Sequence, residues 1–321
     1  MKLIKVAIIG AGKIAEEHIK AFKAHKTTKI VGIFSRTESK AIKLKNKYKI
    51  SKVYTNIDNM YLDSLPDLVI VAVSILSVRE VLKKVSKYEW YCLCEKPVGI
   101  NYQETIIISK FFKNRNKFFI AFNRRHYDST LLAQKILKKD NSKRLILIND
   151  QEDIVQAKKF HPSIVCKNFM YANSIHLVDY CKIFARGSPK KFISLTKIKD
   201  GNFSFFSKKI IYDSGDIVIF NSIWNRPGPW FVKLITKNIF INLEPLENIK
   251  YTYRKSLNNV IKSKSKSIIN YNSTTLKNGF YTQAYLCIES ILKKKILLPT
   301  LNDGISTTYL IKQIFSGFNL K

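Results

Sequence analysis

A chain of 321 residues and 37.2 kDa suits two domains, and its 46% hydrophobic and 25% charged content, with 11 glycines and 8 prolines, excludes a disordered or collagen-like protein. No apolar run approaches the ~18 residues of a membrane span, and no apolar core with a small-residue cleavage site follows Met1, so neither membrane insertion nor secretion is expected. The formal charge of +33 rests on 47 lysines and nine arginines spread from end to end, which reads as solvated surface: no specific nucleic-acid partner is expected, and the summed field favours an anionic substrate.

In chain order, the first third alternates apolar strands with amphipathic helices. Strands are predicted over 5–9, 30–35, 67–74, 91–94 and 118–122, with helices over 13–24, 38–47, 78–87 and 102–113 between them. Continuous apolar strands linked by helical crossovers imply a doubly wound parallel sheet, the α/β Rossmann arrangement, covered on both faces. After about residue 122 the rhythm changes. A helix over 129–139, a strand over 144–149, an irregular stretch to 170 and a helix over 172–185 come first. Strands over 192–197, 203–212, 216–224, 230–236 and 239–243 then follow one another without helices, joined at Asp200-Gly201, Ser214-Gly215 and Pro227-Gly228. The second part is therefore an α+β domain with a mainly antiparallel open sheet. A Lys/Ser run over 262–267 reads as a polar loop, and the tail from about 278 as two helical pieces around Pro299. The expected domains are 1–122 and 123–321. The odd set of cysteines, Cys92, Cys94, Cys166, Cys181 and Cys287, has neither a disulfide framework nor a zinc spacing, so reduced thiols, no metal and a cytoplasmic setting are expected.

The strongest local signal is Gly10-Ala11-Gly12-Lys13-Ile14-Ala15, between the first strand and the first helix. It is GxGxxG with alanine in third place. Gly10 permits a tight turn, Gly12 lets a pyrophosphate approach the backbone, and Ala15 allows close helix–strand packing. The phosphates would rest on the N–H groups of the helix N-terminus, with Gly10 to Ile14 as their contacts. The second strand ends in Ser35-Arg36-Thr37 where an acidic residue would bind ribose hydroxyls. Arg36 there suits a 2′-phosphate or stacks on adenine, which puts NADP ahead of NAD.

Lys96, in Glu95-Lys96-Pro97, stands 84 residues after Gly12, and His176, in His176-Leu177-Val178-Asp179, follows after a further 80. Asn123-Arg124-Arg125 falls between them, with Trp230, Leu243-Glu244-Pro245 and Gly279-Phe280-Tyr281 beyond. In this order the motifs resemble the Gfo/Idh/MocA oxidoreductases, the family of glucose–fructose oxidoreductase and inositol dehydrogenase. The resemblance implies a nicotinamide-dependent dehydrogenase or reductase acting on a sugar-like carbinol. It also implies a sugar, sugar nucleotide or sugar acid as substrate, as in surface-polysaccharide or deoxysugar synthesis, and a homo-oligomer, dimer or tetramer, formed through the second sheet. A dinucleotide-binding regulatory protein without turnover is the alternative.

By the same resemblance Lys96 is the catalytic lysine, its ammonium polarising the substrate oxygen, and His176 moves the hydroxyl proton. Asp179, one turn on, shares the helix face of His176 and complements it. Ser74, Glu95 and Lys96 join the cofactor contacts; Lys96, Arg124, Arg125, His126, Asn173 and His176 form the substrate set. The chain departs from the family pattern at Ala172, where an aspartate four residues before the histidine is frequent, and at Ser74-Ile75, where a threonine–proline is.

Overall fold

A computed structural model describes residues 3–200, 203–254 and 276–318. The polar loop expected over 262–267 lies outside the described residues, as does Gly201 of the Asp200-Gly201 turn. The described residues fall into two compact units, Met1–Asn123 with Asn272–Thr308, and Arg124–Tyr271 with Tyr309–Lys321. The first break sits one residue from the expected 122/123 boundary. The return of 272–308 to the first unit departs from the expectation that everything after 122 belongs to the second.

The first unit runs β1 (Ile4–Ile9), α1 (Lys13–Lys23), β2 (Thr28–Phe34), α2 (Glu38–Tyr48), β3 (Val53–Tyr54), α3 (Ile57–Ser64), β4 (Leu68–Val71), α4 (Val78–Val85), β5 (Tyr91–Cys94), α5 (Tyr102–Ser109) and β6 (Phe118–Ile120). Its strands form one parallel sheet in the order β3-β2-β1-β4-β5-β6. The order reverses direction beside β1, which makes the carboxyl end of β1 the place where this fold opens a crevice. Apart from Lys5, every β1 side chain is buried, as a sheet covered on both faces requires. The β3–α3 pair was not expected from the sequence. A two-residue strand carries no periodicity, and α3 is marked only by its N-cap, where the Asn56 side chain accepts from the Asn59 N–H at 2.7 Å.

Helix α1 buries Ala15, His18, Ile19 and Phe22 at helical spacing. It packs against a helix from far along the chain, which becomes α10 (Phe280–Leu292) in chain order. Phe280, Ala284, Cys287 and Ile288 share one core with Ala15, Ile19 and Phe22. Each such burial is worth about 1.5–3 kcal/mol for the larger side chains, which accounts for the return of this segment to the first unit.

The second unit contains α6 (Asp128–Leu137), β7 (Leu145–Glu152), α7 (Ile154–Phe160), α8 (Ser163–Lys167), a π-helical turn over Met170–Ser174, α9 (Ile175–Phe184), β8 (Pro189–Asp200), β9 (Phe203–Tyr212), β10 (Ile217–Trp224), β11 (Phe231–Ile235), β12 (Ile239–Leu243) and β13 (Lys250–Tyr253). The sheet order is β13-β12-β11-β7-β10-β9-β8. All neighbours are antiparallel except β7 and β10, which run parallel. Three differences from the sequence reading stand out. The irregular stretch before residue 170 holds α7 and α8; β13 is additional; and β7 runs on to Glu152 rather than stopping at 149.

Along β10 burial alternates strictly, with Val218, Phe220, Ser222 and Trp224 inward. The last helix, α11 (Leu301–Ile314), leads to Phe315 and Phe318, which pack edge-on or tilted against Phe206 and Trp224 on this inner face. Lys208 of β9, buried, donates to the carbonyls of Gln313 and Ser316 at the end of that helix. The outer face is also apolar, with Ile217, Ile219, Ile223, Phe231 and Ile235 half-buried and Leu145 and Phe240 exposed.

Candidate active site

In the first unit the glycine turn does what its residues suggest. Gly10 has φ +114°, and a Cβ there would lie 2.1 Å from the Ala72 carbonyl oxygen, so only glycine fits between β1 and β4. Gly12 is the N-cap of α1 and no side chain caps that end. A Cβ on Gly12 would meet nothing within 4 Å. The space over Gly12 is therefore open, and the first-turn N–H groups beneath it have no intrahelical acceptors. A cavity of about 270 Å³ spreads from this turn, lined by Gly10, Ala11, Gly12, Ser35, Arg36, Thr37, Lys40, Ala72, Ser74 and Ser77 among others. No carboxylate is among its described lining residues, whereas Arg36 and Lys40 both are. A dinucleotide fits this donor set: backbone N–H groups for the pyrophosphate and two cations beside the end of β2. Six residues of the expected cofactor set line one cavity; Lys13, Ile14, Glu95 and Lys96 are not among its lining.

The Glu95-Lys96-Pro97 segment follows β5 directly. Glu95 is turned toward α1, where its carboxylate lies 2.8 Å from Nε2 of His18. His18 is buried and its ring stands 4.9 Å from that of Phe280. Glu95 thus ties the end of β5 to the helix of the glycine turn, which differs from a direct cofactor contact. Lys96 is half-buried and the Lys96–Pro97 peptide is cis. The chain beyond is fixed by a capping box: Asn101 accepts from the Glu104 N–H at 2.9 Å, and Glu104 accepts from the Ile100 N–H at 2.7 Å.

In the second unit most of the expected side chains have partners of their own. Arg125 donates to both oxygens of Asp179 at 2.6 Å, a bidentate pair with a nearly enclosed carboxylate. The residue expected to complement His176 and a residue expected to hold substrate hold each other. Arg124 lies over the Trp230 ring at 4.3 Å, and Trp230 donates to the Gln151 carbonyl at 2.6 Å. His126 is enclosed rather than presented to a ligand, and burial with Arg125 beside it holds the imidazole down at about 3, so it is neutral at ordinary pH. Asn173 donates to both oxygens of Glu152, at 3.1 and 2.9 Å. His176 is buried on α9, whose face rests on β7.

The structure adds residues that the sequence reading left out: His18, Glu152, Asp150, Ser174, Ser222 and Trp224. Asp150 is fully enclosed; its Oδ2 accepts from Ser222 Oγ at 2.9 Å and Trp224 Nε1 at 3.4 Å, and burial pushes its carboxyl up. Ser174 donates to Glu152 at 3.3 Å. One signal was available in the sequence. Ile146, Ile148, Asp150 and Glu152 keep period-two parity, so the inward face of β7 continues from apolar residues into two carboxylates. All five cysteines are free and buried, and burial raises the Cys92 and Cys94 thiols well above their ordinary range. The described residues contain no group of three or more His, Cys, Asp and Glu able to hold a metal, and no helix long and apolar enough to cross a membrane.

Residues 4–122 match the family model GFO_IDH_MocA, described as an oxidoreductase family with an NAD-binding Rossmann fold. A 104-residue stretch is 28% identical to glucose-6-phosphate 3-dehydrogenase of Bacillus subtilis (strain 168), covering 32% of this chain and 29% of that protein. Among solved structures, a dehydrogenase from Chromobacterium violaceum is similar over 99% of this chain and 96% of its own, with TM-score 0.82 and 15% identity. Levoglucosan dehydrogenase in complex with NADH and levoglucosan is similar over 98% and 97%, with TM-score 0.81 and 13% identity. UDP-N-acetylglucosamine 3-dehydrogenase from Acidithiobacillus ferrooxidans is similar over 98% and 97%, with TM-score 0.74 and 12% identity. At these identities the structural likeness is one of fold.

Proposed function

We propose that this chain, whose residues 4–122 belong to the Gfo/Idh/MocA oxidoreductase family, is an NAD(P)-dependent dehydrogenase or reductase of a sugar-type carbinol. The observation that carries the reading is the open cradle over Gly12, continuous with a cavity that holds Arg36 and Lys40 and no described carboxylate. An adenosine 2′-phosphate is bound by such a pair of cations, so NADP is the preferred cofactor. When bound, the nicotinamide supplies the hydride acceptor or donor. Lys96 is the catalytic ammonium: it donates to the substrate oxygen and stabilises developing alkoxide charge while the carbon–hydrogen bond is broken. His176 takes the hydroxyl proton in oxidation and returns it in reduction. Arg124, with its planar face on Trp230, suits the phosphate or carboxylate of a sugar phosphate, sugar nucleotide or sugar acid, in keeping with the +33 charge.

Cofactor titration by calorimetry, with a turnover screen over sugar phosphates and nucleotide sugars, tests this. Arg36→Ala should weaken NADP by about 1–3 kcal/mol, the size of one charge-assisted contact, and leave NAD nearly unchanged. Lys96→Met should cut turnover by ~10²–10⁴-fold without changing cofactor affinity. Ala172, which puts a methyl where a carboxylate is frequent, favours a second reading, a dinucleotide-binding regulator. Tight cofactor binding with no turnover on any sugar would select it.

The buried free thiols support a reducing, cytoplasmic setting. The apolar outer face of the second sheet supports a dimer or tetramer formed by a second copy on that face. Light scattering of Phe240→Lys would then report a smaller particle, and an unchanged particle would place the contact elsewhere.

A further inference from the structure

The dehydrogenase reading leaves one arrangement in the second unit without a role: two enclosed carboxylates at the end of β7. Buried carboxylates are costly unless their charge is balanced or put to use. Asp150 and Glu152 point to the same inward face, two residues apart. Hydroxyl and indole donors from β10 hold Asp150, while Asn173 and Ser174 hold Glu152. The two acids are also linked, since the Ser174 side chain acts on both. Asp150 Oδ1 has no hydrogen-bond partner among the described residues. Side-by-side carboxylates resist double ionisation. The enclosed Asp150 is the better place for a proton, and Glu152, with an amide and a hydroxyl aimed at it, is the better place for the charge.

The anchors of Glu152 are informative. Asn173 and Ser174 stand three and two residues before His176, in the π-helical turn that leads into α9. Such turns re-aim side chains and recur at functional sites. Here the turn brings the run just before His176 onto Glu152, and α9 lies on β7. Ala172 offers no carboxylate of its own. We propose that Glu152 is a positioning residue for the proton-transfer step: anchored by Asn173 and Ser174, its carboxylate orients the His176 imidazole and stabilises the imidazolium formed when His176 takes the substrate's proton.

This rests on the dehydrogenase reading for its reaction. In the oxidation direction the hydroxyl proton passes to His176 and the carbon-bound hydride to the nicotinamide, leaving a ketone; Glu152 stays a carboxylate throughout. The other charged and titratable groups around α9 include Asp150 on β7, Arg124, Arg125 and His126 in the segment before α6, Arg144, which donates to the Phe184 carbonyl, Asp179, Tyr180, Cys181 and Lys182 on α9 itself, and Tyr212 on β9, which donates to the Cys181 carbonyl. Arg125 is engaged with Asp179 and His126 is neutral, so Glu152 and Asp150 are the groups left to set the charge on His176 from the strand side.

The test is an imidazole titration by NMR on the full chain without cofactor or substrate, with His176→Gln to identify the resonance. A carboxylate beside an imidazole stabilises its charged form. Glu152→Gln should therefore lower the His176 midpoint by about one pH unit, and Glu152→Asp should lower it less. If Glu152→Gln does not fold, as judged by circular dichroism, Ser174→Ala and Glu152→Asp carry the same reading through smaller shifts. A midpoint unmoved in every folded variant overturns the proposal. Kinetics separate it from the reading it rests on. With a substrate in hand, Glu152→Gln should reduce kcat/KM by roughly 10–10²-fold and move its acid limb to lower pH, with NADP affinity unchanged. A shifted midpoint in a protein that oxidises no sugar supports the coupling and removes the dehydrogenase. Active enzyme with an unmoved acid limb and midpoint keeps the dehydrogenase and removes the coupling.

Discussion

The two sheets of this chain solve the same problem in opposite ways. In the first unit the strands are parallel and buried on both faces, and the proposed cofactor cradle is made of backbone: a glycine turn and a helix N-terminus. In the second unit one face of the sheet is packed and the other left open and apolar, and the packed face has to accommodate polar and charged side chains. A backbone site costs little, because its N–H groups would be unsatisfied there anyway. A side-chain site on an inward face must desolvate charge, and the structure shows the compensation: Arg125 on Asp179, Asn173 and Ser174 on Glu152, Ser222 and Trp224 on Asp150. Damage to the first site should therefore be read in ligand binding, and damage to the second in folding.

The largest expected effect is on the second unit. Arg125→Ala leaves the Asp179 carboxylate enclosed without its bidentate partner, and removal of one member of a buried pair costs about 3–5 kcal/mol. Urea unfolding should show this loss, with most of it recovered in Arg125→Leu/Asp179→Leu. A change below ~1 kcal/mol in the single variant would mean that water reaches Asp179. Next comes a contrast within the glycine turn. Gly10→Ala drives a Cβ into the Ala72 carbonyl at a left-handed φ, a strain of about 1–3 kcal/mol before the clash is counted. Gly12→Val should melt like the parent and lose dinucleotide affinity, because the added side chain occupies only ligand space. If both variants lost stability alike, the cradle over Gly12 would not be open.

The next effect concerns pH. His126 titrates near 3 in the folded chain against an ordinary 6.5. Between those values the unfolded chain holds the extra proton, so stability falls as pH drops below 6.5, by about 1.4 kcal/mol per pH unit. Asp150, whose carboxyl is pushed up, works in the opposite direction, because the folded chain holds its proton first. Denaturant midpoints between pH 6.5 and 4.5 should show His126→Phe losing less stability than the parent on acidification and Asp150→Asn losing more. Parallel curves would mean that His126 is hydrated.

The same contrast explains what could be read from the sequence. Continuous apolar strands such as 67–71 and the glycine hexapeptide are local signals, and they led to the parallel sheet and the cofactor cradle. The missing β3 spans two residues and leaves no pattern to read. In the second unit the order of strands was legible from alternation, whereas the pairing of β7 with β10, between residues 72 positions apart at Leu145 and Ile217, is non-local. The catalytic and substrate sets fared according to the same rule. Types of residue were visible at Arg125, Asn173 and Asp179, but a charge finds its partner in three dimensions, and each of these is engaged by a neighbour that no spacing announced. Glu152 went unread because β7 was ended at Asn149, one pleat too early for its parity to count.

The packing of α10 on α1 has a consequence for how the molecule is made. Ala15, Ile19 and Phe22 are synthesised well before Phe280, Ala284, Cys287 and Ile288, which share their core. At ~5–20 residues per second, roughly thirteen to fifty seconds of translation separate the two halves of that core. Throughout that interval the nascent amino-terminal segment presents an apolar helix face without its cover. Chaperone binding during translation should therefore fall on this face, and premature termination before residue 280 should yield a sticky fragment in place of a free-standing nucleotide-binding module.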